Sequence, residues 1–166
     1  MISQLIPEGY CLKCQGCCRF KEPNSVWSPC LLQEEIEDFI SKKIPPASIS
    51  NDQRLVVIPS KSLAGQFVCP FLNEDNNTCA IYSFRPFECQ LYPFLLNLRG
   101  KKVVLTVDLN CPYIKENIHT PEFKEYLDNL ITFLNSPAKI KMLKDNPQIL
   151  AAYEEVSEIV GLDISI

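Results

Sequence analysis

Histidine occurs once in the sequence, at position 119, so a Cys–His nucleophile pair would have to use that residue, and no spacing selects its partner among nine cysteines. The five glycines form no phosphate-cradling loop, and neither G-x-S-x-G nor HExxH is present. The usual signatures of hydrolysis and acyl transfer are therefore missing. Long apolar runs are missing too: no stretch approaches the roughly 18 residues that a membrane span needs. The opening MISQLIPEGY has no basic segment and no apolar run, so it does not read as an export signal, and the expected location is cytoplasmic. Positive charge is scarce, with a net charge of −4 and a pI near 5.1. The densest basic stretch, KIKMLK with Lys139, Lys141 and Lys144, reads as the wet face of a helix. Neither nucleic acid nor a membrane is an expected partner; a redox or other protein partner is.

What the chain does have is cysteine. An apolar share of 46% and a charged share of 22% describe an ordinary globular domain that can bury a core without cross-links. Nine cysteines then call for another explanation. Their number is odd, and in a reducing compartment clustered thiols bind metal more often than they pair.

The periodicity predicts one α+β domain over 1–166. A cysteine-rich, irregular metal-binding half with a short β-hairpin (10–113) precedes a helical C-terminal segment (120–160). In SPCLLQEEIEDFISKK, Ser28 reads as an N-cap and Pro29 as the first helical residue, with Leu31, Leu32, Ile36, Phe39 and Ile40 as the apolar stripe. KIPPASISND reads as a loop and RLVVIP as a short strand. Residues 66–93 hold no sustained period. FLLNLRGKKVVLTVDL reads as a hairpin turning at Arg99-Gly100, with Val103, Leu105 and Val107 on one face. Thr120 and Pro121 open a helix through Leu134 with Phe123, Leu127, Leu130, Ile131 and Leu134 buried, and Pro137 and Pro147 start two more, the last reaching about Val160.

CLKCQGCCRF places four cysteines within eight residues. Thiolates with two residues between them can converge on one ion across a tight turn, as Zn–S bonds near 2.3 Å require. The same spacing repeated, C-x2-C-x2-C, supplies three ligands of an iron–sulfur cluster. Cys11, Cys14 and Cys17 fit that triplet, and Gly16 lets the backbone approach sulfur closely. Cys18 adjoins Cys17, and neighbouring side chains diverge, so the two fit different metal atoms of two centres or of one polynuclear cluster. Cys69, Cys79, Cys89 and Cys111 bring the candidate ligands to eight. Cys30 falls on the apolar face of the expected helix and reads as a small buried hydrophobe. Zinc sites usually pair two knuckles, and only the first half of this chain has such pairing, so iron–sulfur (4Fe-4S) leads and zinc follows. His119 reads as a surface or capping residue.

These residues also carry a family resemblance. CLKCQGCC, followed by CPFLNEDNNTCAIYSFRPFECQLYPF, resembles the YkgJ-type cysteine cluster family, the zinc- or iron-chelating CxxCxxCC domain. Cys11, Cys14, Cys17 and Cys18 match its opening, and Cys69 with Pro70, Phe71 and Leu72 its second step. Cys79, Ile81, Tyr82, Arg85, Pro86, Cys89, Tyr92 and Pro93 match the next block, and Cys111 the last position, so the likeness runs from residue 10 to about 113. It implies metal chelation by these eight cysteines. Arg85, and in lesser degree Arg19, read as cations that offset thiolate charge from the second layer. Tyr82, Phe84, Phe87, Tyr92 and Phe94 read as the apolar wall of the site. The sequence thus points to a metal-binding protein with one or two cysteine-ligated centres in a redox or metal-handling role. Its alternatives are a structural zinc domain presenting its helical tail to a partner, and an iron–sulfur enzyme or accessory protein.

Overall fold

In the computed structural model the described residues are 2, 4–14 and 16–165, with the side chains of Glu8, Cys11 and Ser165 left aside. They form α1 (Glu8–Cys11), β1 (Arg19–Phe20), α2 (Gln33–Ser41), β2 (Ile58–Pro59), β3 (Phe67–Val68), β4 (Leu72–Asn73), β5 (Thr78–Cys79), α3 (Phe87–Leu91), β6 (Phe94–Arg99), β7 (Lys102–Val107), α4 (Pro112–Asn117), α5 (Pro121–Leu134), α6 (Pro137–Asp145) and β8 (Ser157–Ser165). The contacts of the chain divide into two compact units, one of Met1–Ile2 and Pro7–Gln90, the other of Ser3–Ile6 and Leu91–Ile166. Helices with small antiparallel sheets make the chain α+β.

The first unit has little regular structure and a defined core. Phe20, Leu31, Phe39, Leu55, Val57, Cys69 and Ile81 are buried together, with Trp27, Ile36, Phe71 and Phe84 packed against them. Phe39 of α2 meets the edges of Phe71 and Phe84, with ring centroids 5.9 and 6.1 Å away. Two-residue strands suffice here because each joins a segment to the core: β3 lies between β1 and β2, and β4 pairs with β5 around the NEDNN turn.

Helix α2 begins four residues later than its sequence suggests. Residues 28–31 are extended and pair with 53–55: Leu31 donates to the Gln53 carbonyl at 2.8 Å, Leu55 donates to the Pro29 carbonyl at 2.9 Å, and Cys30 bridges Arg54. Ser28, read as a cap, instead donates its hydroxyl to the Leu55 carbonyl. Long-range pairing outweighs the Ser-Pro start signal, and Leu32 becomes the N-cap residue, its N–H held by Glu35 at 2.9 Å. Cys30 is fully buried, as a small hydrophobe in a strand-like segment and not in a helix.

The second unit is a three-stranded antiparallel sheet in the order β6–β7–β8, with helices α4–α6. The hairpin turns at Gly100, whose φ of +62° is a conformation only glycine takes cheaply. Val103, Leu105 and Val107 are buried, and so are Val104 and Thr106. On β6 Asn97 is fully buried: its Oδ1 accepts the Tyr153 N–H at 2.8 Å. Phe94 stacks on Phe123 and Tyr126 of α5, with centroids 5.9 and 5.8 Å apart.

Helices α5 and α6 start at Pro121 and Pro137, as the two prolines foretell. Lys141 and Lys144 of α6 are exposed, and Lys139 lies over the Phe133 ring. The helix expected from Pro147 to Val160 does not form. Pro147–Ile149 is a single 3₁₀ turn, and Ser157–Ser165 is a strand along β7. Leu162 and Ile164 point inward and Asp163 outward, a period of two that matches the sheet, while Tyr153 and Val156 mimic helical spacing. No helix among the described residues is long and apolar enough to cross a membrane.

Candidate metal centre

The candidate ligands of the first unit arrive from four stretches of chain, with Cys30 apart from them. Cys14, Cys17 and Cys18 lie in the turns between α1 and β1, Cys69 just after β3, Cys79 on β5 and Cys89 on α3. The backbone ties two of these stretches directly, because the Cys69 N–H donates to the Cys18 carbonyl at 3.0 Å. Cys69 belongs to the buried core, and Cys18 and Cys79 pack against it. Cys14 stays with its own turn, where its Sγ lies 3.4 Å from the place a Cβ on Gly16 would occupy. A side chain at 16 would crowd that sulfur.

Four thiols share one electrostatic neighbourhood. Cys17, exposed as a residue, has its thiol pushed well up by the hydrogen bond with Cys18, then by burial of the sulfur itself and by the Cys18 charge. Burial pushes the Cys69 thiol up to about 12, with Cys79 and Cys17 adding to the rise. Burial also raises Cys79, against the pull of Arg85. Cys89 is raised well up by burial and by Cys69, Cys17, Glu88 and Cys79. Cys69, Cys79 and Cys89 each feel Cys17, and Cys17 itself feels Cys18. Thiolates gathered this way repel one another, and a bound cation relieves that repulsion as the protons leave.

Arg85 is the cation facing this group, drawing the thiols of both Cys17 and Cys79 down. Its guanidinium lies 4.0 Å from the centre of the Tyr82 ring, so Tyr82 serves as the platform for Arg85. Of the other aromatic residues read as a wall, Phe84 packs on the first unit's core and Phe87 is buried there. Tyr92 and Phe94 belong to the second unit, where the Tyr92 hydroxyl donates to Asp108 at 2.8 Å. Cys111 is also in the second unit, buried at the N-cap of α4. The Cys11 side chain lies outside the described ones. His119 is exposed, beyond α4.

The supports of these cysteines are hydrogen bonds that the sequence reading did not pick out. Asn77, in the β4–β5 turn at φ +59°, donates its side-chain amide to the carbonyls of Leu12, at 3.1 Å, and Cys14, and accepts from the Arg19 guanidinium at 2.8 Å. On the other flank of that hairpin the Glu74 carboxylate takes the hydroxyls of Ser60 and Ser62 and the Lys61 N–H, and these bonds hold it down to about 2. Glu35 accepts the N–H of Phe87 at 2.6 Å and Glu88 that of Cys30 at 2.6 Å, so α3, which carries Cys89, is clamped by carboxylates in both directions. Asparagine and glutamate in polar turns are common, and nothing local in the sequence singles these out.

The donor chemistry fits a thiophilic ion or cluster. The candidate donors are all sulfur, three of them (Cys18, Cys69 and Cys79) lie at the core, and the Arg85 guanidinium draws on Cys17 and Cys79. Arg19 Nε adds a buried donor that has no hydrogen-bond partner among the described residues, one that an anionic, sulfur-rich group next to Cys18 would satisfy. No three Cys, His, Asp or Glu side chains among the described residues stand close enough as they lie to hold one ion.

Comparison with known proteins agrees with this chemistry. The family model CxxCxxCC, described as "Putative zinc- or iron-chelating domain", matches residues 10–119, a stretch that holds all nine cysteines. No curated protein and no solved structure matches the chain at a significant level. The match covers well over half of the chain, and on that ground the chain belongs to the CxxCxxCC family of zinc- or iron-chelating domains.

Proposed function

We propose that the chain holds a cysteine-ligated metal centre, an iron–sulfur cluster in preference to zinc, and serves a redox or metal-handling role. The observation that carries this reading is that Cys18, Cys69 and Cys79, from three separate stretches of sequence, meet at one core, with the thiols of Cys69, Cys79 and Cys89 all feeling that of Cys17. Cys11, Cys14 and Cys18 complete the first unit's candidate ligands, whose charge Arg85 offsets, and the cysteine pattern of the sequence adds Cys111 as a further candidate. The C-x2-C-x2-C triplet, with single cysteines following, supports a cluster over paired zinc knuckles. A cluster would supply one-electron chemistry. The protein's part is to bury the sulfurs, to aim Arg85 and to hold each cysteine through its backbone, which together set how readily such a centre gains charge.

Anaerobic purification, a visible spectrum and assays for iron, zinc and acid-labile sulfide test the proposal. A brown protein with comparable iron and sulfide is expected, with the colour lost in Cys89→Ser and retained in Cys30→Ala. A colourless protein carrying zinc would leave a thiolate centre but overturn the cluster. A protein of near-normal stability with neither metal would overturn the whole reading.

A further inference from the structure

The Asn77 side chain joins two parts of the metal-binding unit that the sequence separates by more than sixty residues: the hydrogen bonds to Leu12 and Cys14 span 65 and 63 positions. Its backbone forms the turn that delivers Cys79, two residues on, to β5. Its amide uses both N–H groups, one on each carbonyl, and its oxygen on Arg19, the residue after Cys18. The reversed amide would set an oxygen against two carbonyl oxygens, so the arrangement has one orientation. The left-handed backbone at φ +59° narrows the position further, to asparagine, aspartate or glycine.

We infer that Asn77 is a positioning residue of the metal centre, whose two amide donors hold the turn of Leu12 and Cys14 in register with the hairpin that carries Cys79. The inference rests on the metal-binding reading, because register between these two segments matters to an ion only if their sulfurs share it. Without the amide, the turn keeps its own local bonds, Cys14 N–H to Tyr10 and Arg19 N–H to Gly16, and loses the tie that sets it against β5. Aspartate separates the parts of the contact: Asn77→Asp keeps the backbone conformation and strengthens the Arg19 contact, but replaces two donors with a carboxylate that faces two carbonyls. Asn77→Gly keeps the backbone and removes all three bonds.

The test uses the full chain in two arms. In the first, Co²⁺ is titrated into reduced wild type, Asn77→Asp and Asn77→Gly while the thiolate-to-cobalt absorption is followed. Both variants are expected to bind about 10- to 100-fold more weakly, the usual effect of losing an outer hydrogen bond to a metal ligand, and with shifted bands. Wild-type affinity and bands in Asn77→Asp would overturn the inference. In the second arm, amide exchange is read by mass spectrometry without metal. Faster exchange across residues 11–19, with residues 94–107 unchanged, is expected in both variants. Unchanged exchange at 11–19 would overturn the tie, and so would a general rise that includes 94–107, which would make Asn77 a determinant of the whole fold. If wild type itself fails to take up Co²⁺, the metal reading fails and the inference with it. The exchange arm then shows separately whether the amide tie exists.

Discussion

Glu35 accepts the N–H groups of Leu32 and Phe87 with its two carboxylate oxygens, joining the start of α2 to the start of α3. Burial lifts its pKa from the ordinary 4.5 to about 7, against the pull of those two bonds and with Glu34 and Asp38 adding to the rise. A raised carboxyl favours the protonated folded state. The stability it contributes is therefore fully present below about pH 4.5 and lost as the pH rises through about 7. Relative to wild type, Glu35→Gln should gain on the order of 1–2 kcal/mol between about pH 5 and about pH 8, on top of a constant loss from its missing acceptor. Urea unfolding of both proteins under chelating conditions measures this, and a difference between them that does not change with pH would contradict it. At this scale the cysteines were legible because their spacing is itself the chemistry, and Cys30 was legible as a buried hydrophobe. Asn77, Glu35 and Glu88 were not, since what distinguishes them is a partner more than fifty residues away.

Elements followed the sequence where their signals are local. Thr120 accepts the Phe123 N–H at 3.2 Å with Pro121 behind it, so α5 starts where cap and proline place it. Thr120→Ala should cost about 1 kcal/mol of stability, read as a lower urea midpoint with an unchanged slope, and an unchanged midpoint would show that packing of Phe123 and Phe94 alone holds the helix start. The β6–β7 hairpin was legible for the same reason, through Gly100 and the run of β-branched residues. The two elements misread from sequence are those decided by distant partners. Ser28–Leu31 leaves the helix to pair with 53–55, and Ser157–Ser165 becomes a strand because the free edge of β7 offers hydrogen bonds that an isolated last helix would have to replace by packing. Propensity sets a preference of tenths of a kilocalorie per residue, and such pairing overrides it.

Over the whole molecule, regular structure and the cysteines part company. The unit of Leu91–Ile166 is ordered by a sheet and amphipathic helices, while that of Pro7–Gln90 has helix α2, two-residue strands and short turns around a core rich in phenylalanine, with carboxylate and amide side chains fixing the loops between cysteines. A metal bound by residues of such a unit would contribute folding free energy directly, because its cysteines come from stretches of sequence that only folding brings near one another. The family match shows the chelating domain, and the central claim beyond it is that sulfur alone surrounds the ion. X-ray absorption at the edge of whichever metal copurifies tests that claim most directly. The account predicts a scattering shell of sulfur at about 2.3 Å and no shell of lighter atoms; a dominant nitrogen or oxygen shell at about 2.0–2.1 Å would contradict it.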